Sequence, residues 1–357
     1  MKTASLTGLS FSQLENLFPA LPRFRILQIY KWLTRGISDF DRMSDIPNSL
    51  REELKKNFSL YSGAVDGIYD DRDAKKIAVT LEDGLKIEAV LLNDGKNRLT
   101  ACLSTQAGCP VGCVFCKTGS LGFSRNLTSA EIVEQFIFLR NTAQKFYGAE
   151  KSGDTEKSSH IIENIVIMGM GEPLLNMDNL RGAVSAFTDP AGINFSRRRI
   201  TVSTCGIYAG LFDIAENGPA VRLALSLTAA DEPLRQKLMP VTAANPLKKV
   251  KEALVLFQRN GGGRVTLETV LLGGINTRDE DALSIADFAR GLDAVVNIIP
   301  WNPVAGLEFE GKPLREPETK EIENFTRKLE SLAMKVTKRL RKGRGIMGAC
   351  GQLGSIT

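Results

Sequence analysis

The stretch CLSTQAGCPVGCVFC, residues 102–116, holds four of the chain's six cysteines. Three of them, Cys109, Cys113 and Cys116, follow the spacing C-x3-C-x2-C on a glycine-containing loop. Thiolates this close can grip a metal centre. Each iron of a [4Fe-4S] cluster wants a ligand, so three protein thiolates leave one iron open for chemistry. A structural zinc site and inert buried thiols are the other readings. Zinc usually takes a fourth protein ligand. The only histidine, His160, lies beyond a polar insertion and reads as a surface residue. Two more thiols stand apart: Cys102 in the strand-like RLTACLST, and Cys350 in the glycine-rich tail GRGIMGACGQLG. Taken singly, each reads as incidental. Cys205, in STCG, reads as a small buried hydrophobe.

These residues need a scaffold. The first ~60 residues read as a helical module, with Ile26, Ile29, Tyr30 and Leu33 at helical spacing before Gly36. KKIAVTLEDGLKIEAVLL alternates around Asp83-Gly84 and predicts a hairpin with Glu88 in its second strand. From about Arg98 the pattern becomes strand, loop, helix, repeated. RLTACLST, NIVIMGMGEP, RRITVSTCG, VRLALSLT, RVTLETVLLGGIN and VVNIIPWNP are the apolar strands. TSAEIVEQFIFLRN is a helix opened by a capping box, Thr128 to Glu131. Strands alternating with helices predict an α/β fold with a parallel sheet and right-handed crossovers, a partial or full (β/α) barrel whose site lies at the strand ends. The expected divisions are 1–62 (helical accessory domain), 63–97 (β-hairpin extension), 98–340 (barrel) and 341–357 (catalytic tail).

The chain has 357 residues and a formal net charge of +5. No apolar run approaches the length that spans a bilayer, and the N-terminus lacks an apolar signal core. A cytoplasmic, monomeric protein without a membrane partner is expected, and there clustered cysteines point to metal or catalysis rather than structural disulfides. The positive charge is concentrated at Arg197 to Arg199 and in RKLESLAMKVTKRLRKGRG. Such runs suit a phosphate backbone or form a solvated face.

C-x3-C-x2-C with Phe115 before the last cysteine, opening a β/α barrel, resembles the signature of radical S-adenosylmethionine (SAM) enzymes. CLSTQAGCPVGCVFCKTGSLGFSRNLTSAEI, MGMGEPLLN, STCGI, IPWNP and ACGQL together resemble the RlmN family over nearly the whole chain. That family methylates adenine C2 in 23S rRNA and tRNA, and its relative Cfr methylates adenine C8. The resemblance implies a [4Fe-4S] cluster on Cys109, Cys113 and Cys116 and SAM contacts at Gly171, Glu172, Ser203, Ser226, Leu227, Thr228 and Asn302. It implies that Cys350 carries a methyl group, that its methylene radical joins adenine, and that Cys102 releases the product through a transient disulfide with Cys350. Glu88 matches the proton-accepting glutamate, and a flavodoxin or ferredoxin system would supply electrons. One departure is SLT at 226–228, where relatives tend to have SLH. Met168 and Met170 read as wall residues near SAM. The competing readings are a Cfr-like C8 methyltransferase and a zinc-stabilised RNA-binding protein without redox chemistry.

Overall fold

The computed structural model describes residues 5–95, 98–147, 161–339 and 341–354. His160 and the polar insertion before it lie outside them. Three helices open the chain: α1 (Phe11–Leu17), α2 (Arg23–Arg35) and α3 (Asn48–Asn57). α1 starts on a capping box in which Ser10 and Gln13 exchange side-chain and backbone hydrogen bonds. Ile26, Ile29, Tyr30 and Leu33 form the buried face of α2 and, with Leu14, Phe40 and Met43, a hydrophobic core separate from the main one.

The main sheet has ten strands. β1 (Gly63–Asp71), β2 (Ala74–Leu81) and β3 (Lys86–Asn93) form an antiparallel meander, and β3 pairs antiparallel with β4 (Leu99–Leu103). A small hairpin, β5 (Gln106–Gly108) with β6 (Phe123–Asn126), brackets the cysteine loop and the single-turn helix α4 (Lys117–Ser120). The chain then crosses through α5 (Ser129–Tyr147), whose predicted capping box forms: the Thr128 amide donates to the Glu131 carboxylate and the Glu131 amide to Thr128 Oγ1. β7 (Ile162–Ile167), β8 (Ile200–Thr204), β9 (Arg222–Ser226), β10 (Val265–Leu271), β11 (Ala294–Pro300) and β14 (Val336–Lys338) follow β4 in parallel order. Between them run α6 (Met177–Thr188), α7 (Tyr208–Asn217), α8 (Glu232–Leu238), α9 (Leu247–Arg259), α10 (Asp279–Ala289), the two-residue strands β12 (Glu308–Phe309) and β13 (Lys312–Pro313), and α11 (Thr319–Ser331).

Among the described residues no ladder joins β14 back to β1 or β4. The barrel is therefore partial, and the hairpin strands belong to the same sheet. The segment after β14 spans the opening instead. Lys342 donates to the Asn93 carbonyl, the Gly345 amide to Asp71 at 3.2 Å, and Lys76 to the Met347 carbonyl at 3.2 Å. Although glycine-rich, the tail is docked against the meander, since these partners all lie on β1–β3.

The helical module is tied to the barrel by polar contacts. Tyr30 donates to Asp189 at 2.9 Å and Arg140 to the Thr34 carbonyl. Glu134, on α5, accepts from the Ser62 amide and hydroxyl and the Gly63 amide. Burial pushes its carboxyl up from an ordinary value of 4.5 to about 7. The folded state then holds a proton that the unfolded state has lost between those values. This contribution to stability is present below 4.5 and lost as pH rises through about 7. Urea melts of wild type and Glu134→Gln should show the wild type losing stability relative to the variant from pH 5 to 7.5, by at most about 3 kcal/mol.

Candidate active site at the carboxyl edge of the sheet

Two adjoining cavities open at the ends of the parallel strands. The inner one, about 160 Å³, is lined by Cys109, Cys113 and Cys116 on one side and by Gly171, Glu172, Ser203, Ser226 and Asn302 on the other. The outer one, about 430 Å³, holds Cys102 together with Lys338, Arg339, Arg341 and Lys342. That volume is within the roughly 300–1,000 Å³ usual for a small-molecule site. Cys350, Met168, Ile299, Asn302 and Arg339 line both.

The inner wall is built from strand ends and the turns that follow them. After β7 the chain turns at Gly171, whose φ is +98°. A Cβ there would lie 2.5 Å from Gln106 Cβ and 2.8 Å from its amide nitrogen. The close approach lets Gln106 Oε1 accept from the Glu172 amide at 2.8 Å. Glu172 is buried, and its two oxygens accept from the Leu174 and Cys205 amides at 3.0 and 2.7 Å. Desolvation raises its pKa against those bonds. Arg235, fully buried, donates to the carbonyls of Leu227, Cys205 and Ser226 and so knits the ends of β8 and β9 together. Cys205 lines the cavity as a buried thiol held far above its ordinary pKa by desolvation.

Leu227 and Thr228 line neither cavity; they lie behind the wall with both amides donated to the Glu268 carbonyl. Glu88 also lines neither. Its carboxylate pairs with Lys76 at 2.9 Å and accepts from the Gly354 amide at 2.6 Å. The first basic run differs from expectation as well. Arg197 to Arg199 directly precede β8 and so sit at the amino edge of the sheet, opposite the cavities. Arg341 and Arg344 are tied to Glu316, and Arg339 turns inward to Glu268 at 3.2 Å and to the Met168 sulfur at 3.7 Å.

Glu268 escaped the sequence reading. It lies on β10, lines the inner cavity, and accepts from Ser203 Oγ at 2.9 Å. A single acid amid RVTLETVLL, between strands buried on both faces, was the available signal.

Burial pushes the Cys102 thiol up to about 12, with Arg339 opposing. The Cys109 thiol is likewise pushed up to about 12, and burial raises Cys113 well above its ordinary value. As bare thiols these groups stay protonated; a metal centre would supply the positive charge that favours their thiolates. Among the described residues no three His, Cys, Asp or Glu side chains converge on one ion. Three thiols lining one cavity suit a cluster whose irons each take one. The buried Asn302 Oδ1 has no hydrogen-bond partner and belongs to a residue of that cavity, as a site awaiting a polar ligand would have.

Residues 4–60 match the family described as "Ribosomal RNA large subunit methyltransferase N-terminal domain", and residues 156–289 match the radical SAM superfamily. Two relatives are described as "Probable dual-specificity RNA methyltransferase RlmN". The one from Treponema pallidum is 41% identical, covering 98% of this chain and 97% of its own length. The one from Treponema denticola is 42% identical, covering 99% and 96%. The chain belongs to the RlmN family of radical SAM RNA methyltransferases. A crystal structure of a radical SAM methyltransferase from Sphaerobacter thermophilus superposes with a TM-score of 0.88 at 34% identity, covering 99% of both chains. The family's cofactors are a [4Fe-4S] cluster and SAM, and the cavity's donor set fits both. A zinc-stabilised binding protein without redox chemistry is thereby set aside.

Gly171→Ala forces a side chain into positive φ and against Gln106. It should weaken SAM binding to the anaerobically reconstituted protein by about tenfold or more, read by titration calorimetry.

Proposed function

We propose that this chain methylates C2 of an adenosine in 23S rRNA and in tRNA through an S-methyl intermediate on Cys350, consuming two SAM per turnover. The observation that carries this reading is the position of Cys350. It lines the cavity of the three cluster thiols and also the basic cavity of Cys102. One sulfur can thus receive a methyl group on one side and deliver it on the other.

The residues divide the work accordingly. Cys109, Cys113 and Cys116 hold the cluster, and Gly171, Glu172, Ser203, Ser226 and Asn302 orient SAM; Leu227 and Thr228 act from behind, through the backbone. When bound, the reduced cluster would supply the electron for reductive cleavage of SAM, whose deoxyadenosyl fragment would take up a hydrogen atom. Cys350 takes a methyl group from the first SAM and loses a hydrogen atom from it at the second. The carbon left on its sulfur bonds to adenine C2. Glu88 accepts the C2 proton, the adduct's odd electron would return to the oxidised cluster, and the Cys102 thiolate attacks the Cys350 sulfur; the C–S bond breaks, the departing carbon takes a proton to become the methyl group, and a Cys102–Cys350 disulfide is left for reduction. Lys338, Arg341 and Lys342 at the outer cavity serve the phosphates of a nucleotide turned out of its stack. The Cfr-like C8 outcome uses the same residues. The relatives' RlmN name favours C2.

We read the protein as a cytoplasmic monomer fed by a flavodoxin- or ferredoxin-type donor. No helix among the described residues is long and apolar enough to cross a membrane.

With unmodified rRNA and labelled SAM under anaerobic reduction, wild type should yield 2-methyladenosine by mass spectrometry against both methyladenosine standards. Cys350→Ala should transfer no label to RNA. Cys102→Ala should accumulate a covalent protein–RNA species visible on a denaturing gel. Appearance of 8-methyladenosine instead would reassign the position, and label transfer by Cys350→Ala would overturn the route.

A further inference from the structure

Lys76 and Glu88 form an ion pair that is out of water at both ends, with side-chain exposures of 0% and 3%. They stand on adjacent strands, where Ala78 faces Glu88 and Lys76 faces Val90, so they meet diagonally on one face. Isolated buried pairs are poor sources of stability, because desolvation offsets the attraction. The pair's other hydrogen bonds go to one place. Lys76 Nζ donates to the Met347 carbonyl at 3.2 Å, and Glu88 Oε2 accepts from the Gly354 amide at 2.6 Å. These two tail residues flank Cys350.

Between them the tail is seated on the cysteine loop and the end of β11. The Lys117 amide donates to the Gly351 carbonyl at 2.7 Å, Thr118 Oγ1 to the Leu353 carbonyl at 2.8 Å, and Asn302 to the Cys350 carbonyl at 3.1 Å. Gly354 has φ +94°, and a Cβ there would come within 2.4 Å of Leu121 Cδ1. Glycine is needed for its amide to reach the carboxylate.

With the tail seated, Glu88 has both oxygens engaged and faces the tail instead of the cavity that holds Cys102. We infer that Lys76 and Glu88 are the latch of the Cys350 tail, and that Glu88 becomes free to take a proton only when Gly354 lifts away. Lys76 is a positioning residue in this scheme. The seated tail presents Cys350 for methylation; the lifted tail uncovers the base. One carboxylate therefore keeps the two stages of the reaction from overlapping. The inference rests on the reading of Cys350 and Glu88 proposed above.

The test uses the cluster-loaded, full-length protein. Gly354→Ala leaves both members of the pair in place and removes the amide contact; Lys76→Met opens the other end. Hydrogen exchange of the segment 343–354 should speed up about tenfold in each, the worth of one charge-assisted hydrogen bond. Iron content and exchange in β7–β10 serve as folding controls. In single turnover, Gly354→Ala should slow methyl transfer to Cys350 about tenfold while enzyme already methylated there converts RNA no more slowly than wild type. A general structural defect would slow both stages. Unchanged tail exchange in both variants, or equal slowing of the two stages, would overturn the latch. The exchange measurement needs neither SAM nor RNA, so it reads the latch even if wild type proves not to methylate Cys350.

Discussion

A thiol at residue 350 has to share a cavity with three thiols at residues 109–116, and the contacts that achieve this are largely to the main chain. Lys117 and Thr118, just past the last cluster cysteine, donate to the Gly351 and Leu353 carbonyls. Trp301 Nε1 donates to the Phe115 carbonyl at 2.9 Å, fixing the cysteine loop to the end of β11. The loop that carries Cys109, Cys113 and Cys116 is therefore also the seat of the tail. That spacing is set directly by short hydrogen bonds between the loop and the tail. Gly351, at φ +83°, supplies the turn that lets Cys350 face the cavities while its neighbours bond to the loop.

The open sheet follows from the same requirement. A closed (β/α) barrel fills its own interior with side-chain layers and leaves no slot for a chain segment to enter. Here the parallel run ends at β14, three residues long, and the meander β1–β3 extends the other side. Unpaired edges are a liability that proteins cover or shorten. The tail contacts the meander at Asp71, Lys76, Glu88 and Asn93, so one segment both bridges the opening and delivers the thiol.

The carboxyl edge of the sheet collects charges that a stable core would avoid. Glu172, Glu268, Arg235 and the Lys76–Glu88 pair are all buried, and Arg235 has only neutral acceptors among its hydrogen-bond partners. Each carries a desolvation cost that local bonding offsets only in part. Glu172 and Glu268 line the inner cavity, and Arg235 and Glu88 hold segments that do, which marks a place where polar ligands are handled rather than where stability is made. Arg339 illustrates the difference. It faces both cavities and is held by Glu268 and the Met168 sulfur, so it presents a fixed positive field to Cys102 and Cys350 without itself being free to leave.

Much of this was legible in the chain, for identifiable reasons. Period-two and helical patterns locate the Asp83-Gly84 hairpin, the apolar face of α2 and the capped start of α5, because each reports a local preference. The cysteine triplet is legible because its chemistry needs close sequence spacing. What sequence does not display is which end of an element a charge occupies and which way it points. Arg197 to Arg199 look like a phosphate-binding run, yet a run placed immediately before a parallel strand must lie at the edge opposite the strand-end site, so the topology alone excludes it from the cavities. Arg339 looks like its neighbours in a basic stretch, yet it is the residue just past β14 and therefore at the site's edge. Glu88 looks like an ordinary hairpin acid, yet its carboxylate is bonded to an amide 266 positions away in the chain. Charge density along a sequence is a statement about composition; only the strand order turns it into a statement about place.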